Sequence, residues 1–217
     1  AFFGGMLHAP SAQVHPGKLA VGLATAATKH GARVFESTPV TGLSRLSPSG
    51  TSHGGYRVTT SRGSVDANQV LVATGSTDIG PFAWFRRRLA PVGSFIIVTE
   101  PLGRETLQRL LPQQRNYVTS RVIGNYFRST PDGRLLFGGR ARFAMSNPRS
   151  DQRSGEILRR GLARVFPELA QVRIDYCWGG LVDMSKDRLP RSGTHNGMHY
   201  AMGFSGHGVQ MSTLMGN

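Results

Sequence analysis

The sequence has one cysteine and no long apolar run. Cys177 alone cannot form a disulfide within the chain, which suits a reducing compartment, so we expect a cytoplasmic protein. A membrane-spanning helix needs roughly 18 apolar residues, whereas the most apolar stretch, Phe95 to Val98, has the length of a buried strand. No charged and then apolar leader opens the chain. We therefore expect a globular protein without a membrane span, and 217 residues suffice for one sizeable core or two small domains.

Acidic residues are also scarce. The chain has 26 lysines and arginines against 12 aspartates and glutamates, which gives a formal charge of +14. Such an excess is typical of surfaces that bind nucleic acid or anionic ligands. However, the arginines are scattered, with one tight cluster at Arg86–Arg88, and no aromatic residues alternate with them as in RNA-binding proteins. We expect no nucleic-acid partner; a basic nucleic-acid-binding or anion-binding module without catalysis stays an alternative, and so does a solvated basic face.

Two common kinds of site are not predicted. His8 and His15 have no cysteine or second histidine at a metal-ligand spacing, so we expect no metal site. Ser205 lies in a glycine-rich stretch, but Phe204-Ser205-Gly206-His207 does not match the Gly-x-Ser-x-Gly motif of a serine nucleophile.

Hydrophobic periodicity and turn residues predict alternating helices and strands. The predicted helices are 16–30, 103–111 and 151–166, with another that begins at residue 209. The predicted strands and extended segments are 33–36, 40–46, 56–60, 64–73, 95–99, 117–122, 124–129, 134–140, 172–180 and 199–202. The continuously apolar part of 64–73 is typical of a strand buried on both faces. This order predicts an α/β ligand-binding domain that is interrupted by an antiparallel-sheet domain.

The most informative local feature is Gly203-Phe204-Ser205-Gly206-His207-Gly208, between a predicted strand and a predicted helix. Such a turn exposes backbone N–H groups at the positive end of a helix, and its glycines allow a ligand to approach closely. An ordinary tight connection is the alternative. A second feature is the strand that ends in Ala73-Thr74-Gly75, because open α/β sheets bind ligands at the carboxyl ends of their strands.

These motifs occur in an order that resembles a known family. They are Gly4-Gly5-Met6, the helix before His30-Gly31-Ala32, Thr38-Pro39-Val40, Val72-Ala73-Thr74-Gly75, Asp187-Arg188-Leu189-Pro190 and the 203–208 turn. Together they resemble the D-amino-acid oxidase/sarcosine oxidase superfamily of FAD-dependent oxidoreductases over nearly the whole chain. Residues 178–208 look like the branch that contains gamma-glutamylputrescine oxidase. The implied fold is α/β (α+β): an incomplete Rossmann-like FAD-binding domain (residues 1–80 and 177–217) with an inserted antiparallel β-sheet substrate domain (81–176).

The resemblance also implies site residues. The implied FAD-binding residues are Val40, Thr74, Gly75, Ser76, Ser205, Gly206, His207, Gly208, Val209 and Gln210. The implied catalytic residues are His207 and Tyr126, and the implied substrate-binding residues are Arg128, Arg140 and Phe204. Three of them have a simpler alternative: helix capping for His207, packing for Tyr126 and a solvated strand position for Arg140.

The implied activity is oxidation of an amine or amino acid, with hydride transfer to flavin N5 and hydrolysis of the resulting imine. An FAD-dependent 2-hydroxy-acid dehydrogenase is the alternative within the family. In the resemblance, Val182 stands where amino-acid-oxidising relatives often carry an arginine for the substrate carboxylate, and Gln210 stands where sarcosine oxidases carry a lysine for it. These differences favour an amine, unless Arg128 or Arg140 supplies the cation. The substrate, the electron acceptor and the oligomeric state stay open.

Two further departures concern the cofactor. Some relatives attach flavin to a cysteine, but Cys177 lies about three residues before that position and Gly180 occupies it, so we expect non-covalent FAD. The Gly-x-Gly-x-x-Gly fingerprint of dinucleotide-binding domains does not occur in the chain. We therefore expect a fragment without the N-terminal dinucleotide-binding unit, which by itself binds FAD weakly or not at all and is inactive.

Overall fold

The computed structural model describes residues 4–47, 54–77, 79–120, 124–142 and 148–216; the side chains of residues 140–142 and 148–150 lie outside this description. The chain divides into two compact units. Residues 1–34 and 93–180 form one, here called the sheet unit, and residues 35–92 and 181–217 form the other, the turn unit. The domain division expected from the sequence, at 1–80, 81–176 and 177–217, stays a prediction.

Helices and strands are mixed along the whole chain. The helices are α1 (Pro16–Lys29), α2 (Ala83–Arg86), α3 (Arg104–Leu110), α4 (Pro148–Val165) and α5 (Gly208–Met215). The strands are β1 (Val40–Leu46), β2 (Gly55–Thr60), β3 (Gly63–Ala67), β4 (Leu71–Val72), β5 (Ala90–Thr99), β6 (Tyr117–Val118), β7 (Asn125–Ser129), β8 (Leu135–Arg142), β9 (Ile174–Met184), β10 (Arg191–His195) and β11 (Met198–Met202). The predicted α/β (α+β) class is confirmed, as are the helices predicted over 16–30, 103–111 and 151–166.

The sheet unit is built on a five-stranded sheet in the order β6-β7-β8-β5-β9. Its pairs β6/β7, β7/β8 and β8/β5 are antiparallel, as the sequence predicts. Helix α4 buries a stripe that includes Leu158 and Leu162, 2% and 0% exposed, because these residues recur at helical spacing among arginines. They pack with side chains of β5 and β8, and this cluster is the core of the unit.

Helix α1 contributes little to this core. It begins at Pro16, where His15 accepts a hydrogen bond from the backbone N–H of Lys18 at 3.3 Å, and it ends at Lys29. No residue of α1 is buried, and Val21 and Leu23 are 68% and 61% exposed. The apolar side chains of α1 are therefore not covered by other parts of the described structure.

The turn unit contains two three-stranded sheets, in the orders β1-β2-β3 and β10-β11-β4. The first is antiparallel throughout; in the second, β10 pairs antiparallel and β4 pairs parallel with β11. Its core consists of Tyr56, Val72, Phe82, Phe85, Leu89, Met198 and Met202. Beside this core, Trp84 stacks on His195 with 3.8 Å between the ring centroids.

Three strand predictions differ from the structure. The strand predicted over 117–122 is formed only at Tyr117–Val118, and residues 121–122 lie outside the described residues. The segment 64–73 is not one strand, since β3 ends at Ala67 and β4 begins at Leu71 in a different sheet. The expectation that its apolar part is buried on both faces is also wrong, because Leu71 is 65% exposed and Val72 only 5%. Consecutive strand residues face opposite sides, so an apolar run alone cannot tell whether both sides are covered. The segment 33–36 was predicted to be extended, but none of its residues belongs to a strand.

We predict that Gly179→Ala destabilises the protein whereas Gly180→Ala does not. A methyl group at Gly179 would overlap the ring of Phe95, which is 0% exposed and cannot move into solvent, while a methyl group at Gly180 would meet nothing within 4 Å. Overpacking should lower the free energy of unfolding by about 1–3 kcal/mol, and the control should stay within about 0.5 kcal/mol of the parent. Urea denaturation measures both; equal effects would contradict this packing.

We also predict that Asp175 makes stability depend on acid pH. Hydrogen bonds from Arg134, at 2.5 Å, and Arg173, at 2.8 Å, lower the pKa of Asp175. A lowered pKa in the folded state means that the contribution is complete above the unfolded-state value of about 3.9 and is lost as the pH falls through the lower folded value. Asp175→Asn should therefore flatten the loss of unfolding free energy in acid.

The matched control for Asp175→Asn is Asp66→Asn. Asp66 also pairs with an arginine, Arg57, but its side chain is 48% exposed, against 19% for Asp175. Exposed pairs are screened by solvent, so the control should flatten the profile less. Urea midpoints across the acid range measure the difference, and identical profiles for the two variants would refute the prediction.

Candidate functional site

Two neighbouring parallel strands of the turn unit end side by side. In their register His199 lies opposite Leu71 and Tyr200 opposite Val72, and the N–H of His199 donates to the carbonyl oxygen of Val70 at 2.8 Å. From these ends the chain enters residues 73–77 after β4 and the 203–208 turn after β11. The carboxyl ends of adjacent parallel strands are where open α/β sheets bind ligands.

A cleft of about 390 Å³ opens at these strand ends. It is lined by residues 73–77, Leu181 and Asp183 of β9, Ala201 of β11, and Phe204. Four residues predicted from the sequence therefore lie together here: Thr74, Gly75, Ser76 and Phe204. All lining residues belong to the turn unit.

Two features of the 73–77 segment favour a ligand in this cleft. The hydroxyl oxygen of Ser76 is shielded from solvent, and it has no hydrogen-bond partner among the residues that the structure describes. A buried polar group without a partner is costly, so a ligand atom that bonds to it would be stabilising. Gly75 has a φ of +59°, which favours glycine, and the space where a side chain would stand is open.

The 203–208 turn has a left-handed backbone at three residues. The φ angles are +72° at Gly203, +53° at Ser205 and +95° at Gly206. The space beside Gly206 is open, whereas a side chain at Gly203 would contact Ser185. The later part of the turn, next to the start of α5, is therefore open on its outer side at Gly206.

Ser205 is buried and acts within the turn. Its hydroxyl donates to the carbonyl oxygen of Gly203 at 3.1 Å and accepts from the N–H of Ser185 at 3.2 Å. Ser205 was predicted to bind the cofactor, and here its side chain fixes the shape of the turn. Its role toward a ligand stays a prediction.

The Asp187-to-Pro190 motif is a tight turn between β9 and β10. One carboxylate oxygen of Asp187 accepts from the N–H of Leu189 at 3.1 Å, and the other accepts from Arg191 at 2.7 Å. These two bonds, the Leu189 N–H first, lower the pKa of Asp187. Arg188 has a φ of +64°, so the motif has a structural reason of its own.

The other predicted cofactor residues of the turn unit do not line the cleft. His207 is exposed at the N-cap of α5, and its side chain makes no capping hydrogen bond, which argues against capping as the reason for a histidine there. Val209 and Gln210 are exposed in the first turn of α5, next to Gly208. Val40 is the first residue of β1 and packs at the edge of the core.

The remaining predicted residues lie in the sheet unit. The Tyr126 hydroxyl shares a hydrogen bond with Ser94 at 3.2 Å, and burial raises the pKa of Tyr126. Its ring covers Gly138 on the neighbouring strand, which fits the packing alternative. Arg128 donates to the carbonyl oxygen of Val14 at 3.1 Å. Arg140 belongs to β8, but its side chain lies outside the described residues.

Sequence reasoning missed Leu181 and Asp183, which line the cleft from β9. The signal was available, because consecutive strand residues face opposite sides. Leu181 and Asp183 lie on one face of β9. Val182, the residue that the sequence analysis compared with relatives, lies on the other face. Asp183 is the one charged residue among the described residues that line the cleft.

Two searches of the described residues returned nothing. No group of three or more histidine, cysteine, aspartate or glutamate side chains there is arranged to hold a metal ion. None of the helices in these parts of the chain is both long and apolar enough to cross a membrane.

Comparisons with known proteins agree with this architecture. The profile of the "FAD dependent oxidoreductase" family matches residues 1–217. The chain is 31% identical to the "Probable oxidoreductase OrdL" of Haemophilus influenzae, covering 99% of this chain and 48% of that protein. It is likewise 31% identical to the gamma-glutamylputrescine oxidoreductase of Escherichia coli, covering 99% of this chain and 49% of the relative.

Among solved structures, glycine oxidase from Geobacillus kaustophilus matches with a TM-score of 0.70 and 24% identity, over 91% of this chain and 51% of that one. This likeness supports the fold. The chain spans about half the length of the curated relatives that it matches. Because the family profile covers every residue, the chain belongs to the FAD dependent oxidoreductase family.

Proposed function

We propose that this chain is part of an FAD-dependent enzyme that oxidises an amine or amino acid, and that its cleft holds part of the FAD. The observation that carries the proposal is the hydroxyl of Ser76, which is buried at the ends of β4 and β11 without a partner among the described residues, in a chain of this family. Similarity to a gamma-glutamylputrescine oxidoreductase supports an amine-containing substrate.

The residues of the turn unit fit the chemical groups of FAD. Thr74, Gly75 and Ser76 offer hydroxyl and N–H donors of the kind that a ribose or diphosphate accepts. Gly206 and residues 208–210 offer N–H groups at the start of α5, where a helix favours negative charge such as that of a reduced flavin. Val40 would contact the adenine through its backbone.

We propose that the FAD is bound without a covalent link. The Cys177 thiol donates to the carbonyl oxygen of Asp151 at 3.3 Å, and burial, with a smaller effect of Asp151, raises its pKa. A raised pKa keeps the sulfur protonated, whereas nucleophilic attack requires the thiolate. Gly180, at the position where some relatives carry the linking cysteine, has no side chain to form a bond.

Bound FAD supplies the acceptor for a hydride from the carbon beside the amine. The chain's own residues would bind and shield the reactants: Phe204 contributes an apolar wall to the cleft. His207, exposed beside the turn, and Tyr126, whose pKa burial raises, are the proposed proton-handling residues. Arg140 is the proposed cation for any anionic group of the substrate.

An amine is the favoured substrate class. Val182 and Gln210 cannot pair with a substrate carboxylate as an arginine and a lysine would. One N–H group of Arg128 already bonds to the carbonyl oxygen of Val14, which limits how this guanidinium can turn toward a substrate.

We predict that Ser76→Ala weakens FAD binding while it stabilises the protein without FAD. Loss of one hydrogen bond of about 1 kcal/mol should raise the dissociation constant about fivefold. Removing a buried hydroxyl that has no partner among the described residues should raise the unfolding free energy of the apoprotein. Flavin titration and urea denaturation of the full-length protein measure the two effects.

The control is Ser192→Ala, which removes an exposed hydroxyl from β10 of the same unit and should change neither quantity. If Ser76→Ala binds FAD as tightly as the parent protein, Ser76 does not contact the cofactor.

We also predict the class of substrate. The full-length protein with FAD should lose its visible flavin absorbance under anaerobic conditions with primary or secondary amines, faster than with the corresponding amino acids. Two-hydroxy acids should leave the flavin oxidised. Faster reduction by two-hydroxy acids would favour the dehydrogenase alternative, and a full-length protein that takes up no FAD would disprove the proposed function.

A further inference from the structure

Asp183 joins β9 to the 203–208 turn through two hydrogen bonds. Its carboxylate oxygen Oδ2 accepts from the N–H of Gly203 at 2.8 Å, and its backbone carbonyl accepts from the N–H of Ser205 at 3.1 Å. The two N–H groups belong to two of the three residues at which the turn is left-handed, with φ of +72° and +53°. Asp183 therefore accepts hydrogen bonds from the backbone N–H groups of both Gly203 and Ser205.

We propose that Asp183 is a positioning residue: by accepting the N–H of Gly203, its side chain holds the 203–208 turn in the shape that leaves the N–H groups of Gly206 and residues 208–210 for the ligand. This inference rests on the proposed function for the identity of that ligand, FAD. The hydrogen bonds themselves are independent of it.

The turn needs such support because its backbone is strained. A left-handed conformation is unfavourable for a residue with a side chain, and Ser205 adopts it. The hydroxyl of Ser205 closes the turn from inside, through bonds to Ser185 and Gly203. The Asp183 carboxylate fixes the same segment from the cleft side, where it also lines the wall.

The negative charge of Asp183 is not what the turn requires. A carboxylate in a cleft that receives a diphosphate or a reduced flavin repels that ligand. The geometry instead uses the carboxylate as a hydrogen-bond acceptor toward a backbone N–H, which an amide oxygen can replace. Substitution can therefore separate the hydrogen-bond acceptor from the negative charge. Asparagine keeps the acceptor oxygen without the charge, and alanine removes the acceptor and the charge.

The test compares Asp183→Asn and Asp183→Ala in the full-length protein, with Gly179→Ala as a control that loses stability without touching the turn. Three quantities are measured: the FAD dissociation constant, the visible absorption spectrum of the bound flavin, and hydrogen exchange at the Gly203 amide. We expect alanine to raise the dissociation constant at least tenfold, to shift the flavin spectrum and to speed exchange at Gly203.

Asparagine should keep the dissociation constant within threefold of the parent value, with an unchanged spectrum and slow exchange. Gly179→Ala should bind FAD normally in spite of its lower stability, so that a general loss of stability cannot explain the effect of alanine. An alanine variant with normal FAD binding and slow Gly203 exchange would overturn the proposal, and so would an asparagine variant as impaired as alanine. If the parent protein takes up no FAD, the proposed function fails, while exchange at Gly203 still decides whether Asp183 holds the turn.

Discussion

The parallel pairing of β11 with β4 is the constraint on which the candidate site depends. It brings the 73–77 segment and the 203–208 turn, which are far apart in the sequence, together at the carboxyl ends of two strands of a three-stranded sheet. Each segment alone is a common strand end or a glycine-rich turn. Side by side they form a cleft with walls at the ends of β4 and β11 and along β9. Asp183 connects the β9 wall to the 203–208 turn through its hydrogen bond to Gly203. A shift in this register would separate the donors that we assign to FAD.

Local patterns predicted much of the fold. The amphipathic sequence of α4 and the turn residues between β7 and β8 lead directly to the helix and the antiparallel pairing. Local patterns did not predict that 64–73 divides between two sheets, because the choice of partner strand is made by residues elsewhere in the chain. The open face of α1 has the same origin: periodicity indicates an apolar face but not what covers it.

The candidate site was predictable in part for a similar reason. Thr74, Gly75, Ser76 and Phe204 follow strand ends, which a sequence reveals. Asp183 acts through a backbone N–H twenty residues later, and no local motif records such a contact. Charge composition was the least informative signal, since Arg57, Arg109, Arg134, Arg173 and Arg191 pair with carboxylates within the described structure. These arginines serve the fold.

The central claim is that FAD binds at the carboxyl ends of β4 and β11. Hydrogen exchange of the full-length protein, compared with and without FAD, tests it directly. The account predicts that FAD slows exchange of the backbone amides in residues 74–77 and 206–210 and leaves those of β10 unchanged. Protection that appears elsewhere and spares both segments would contradict it.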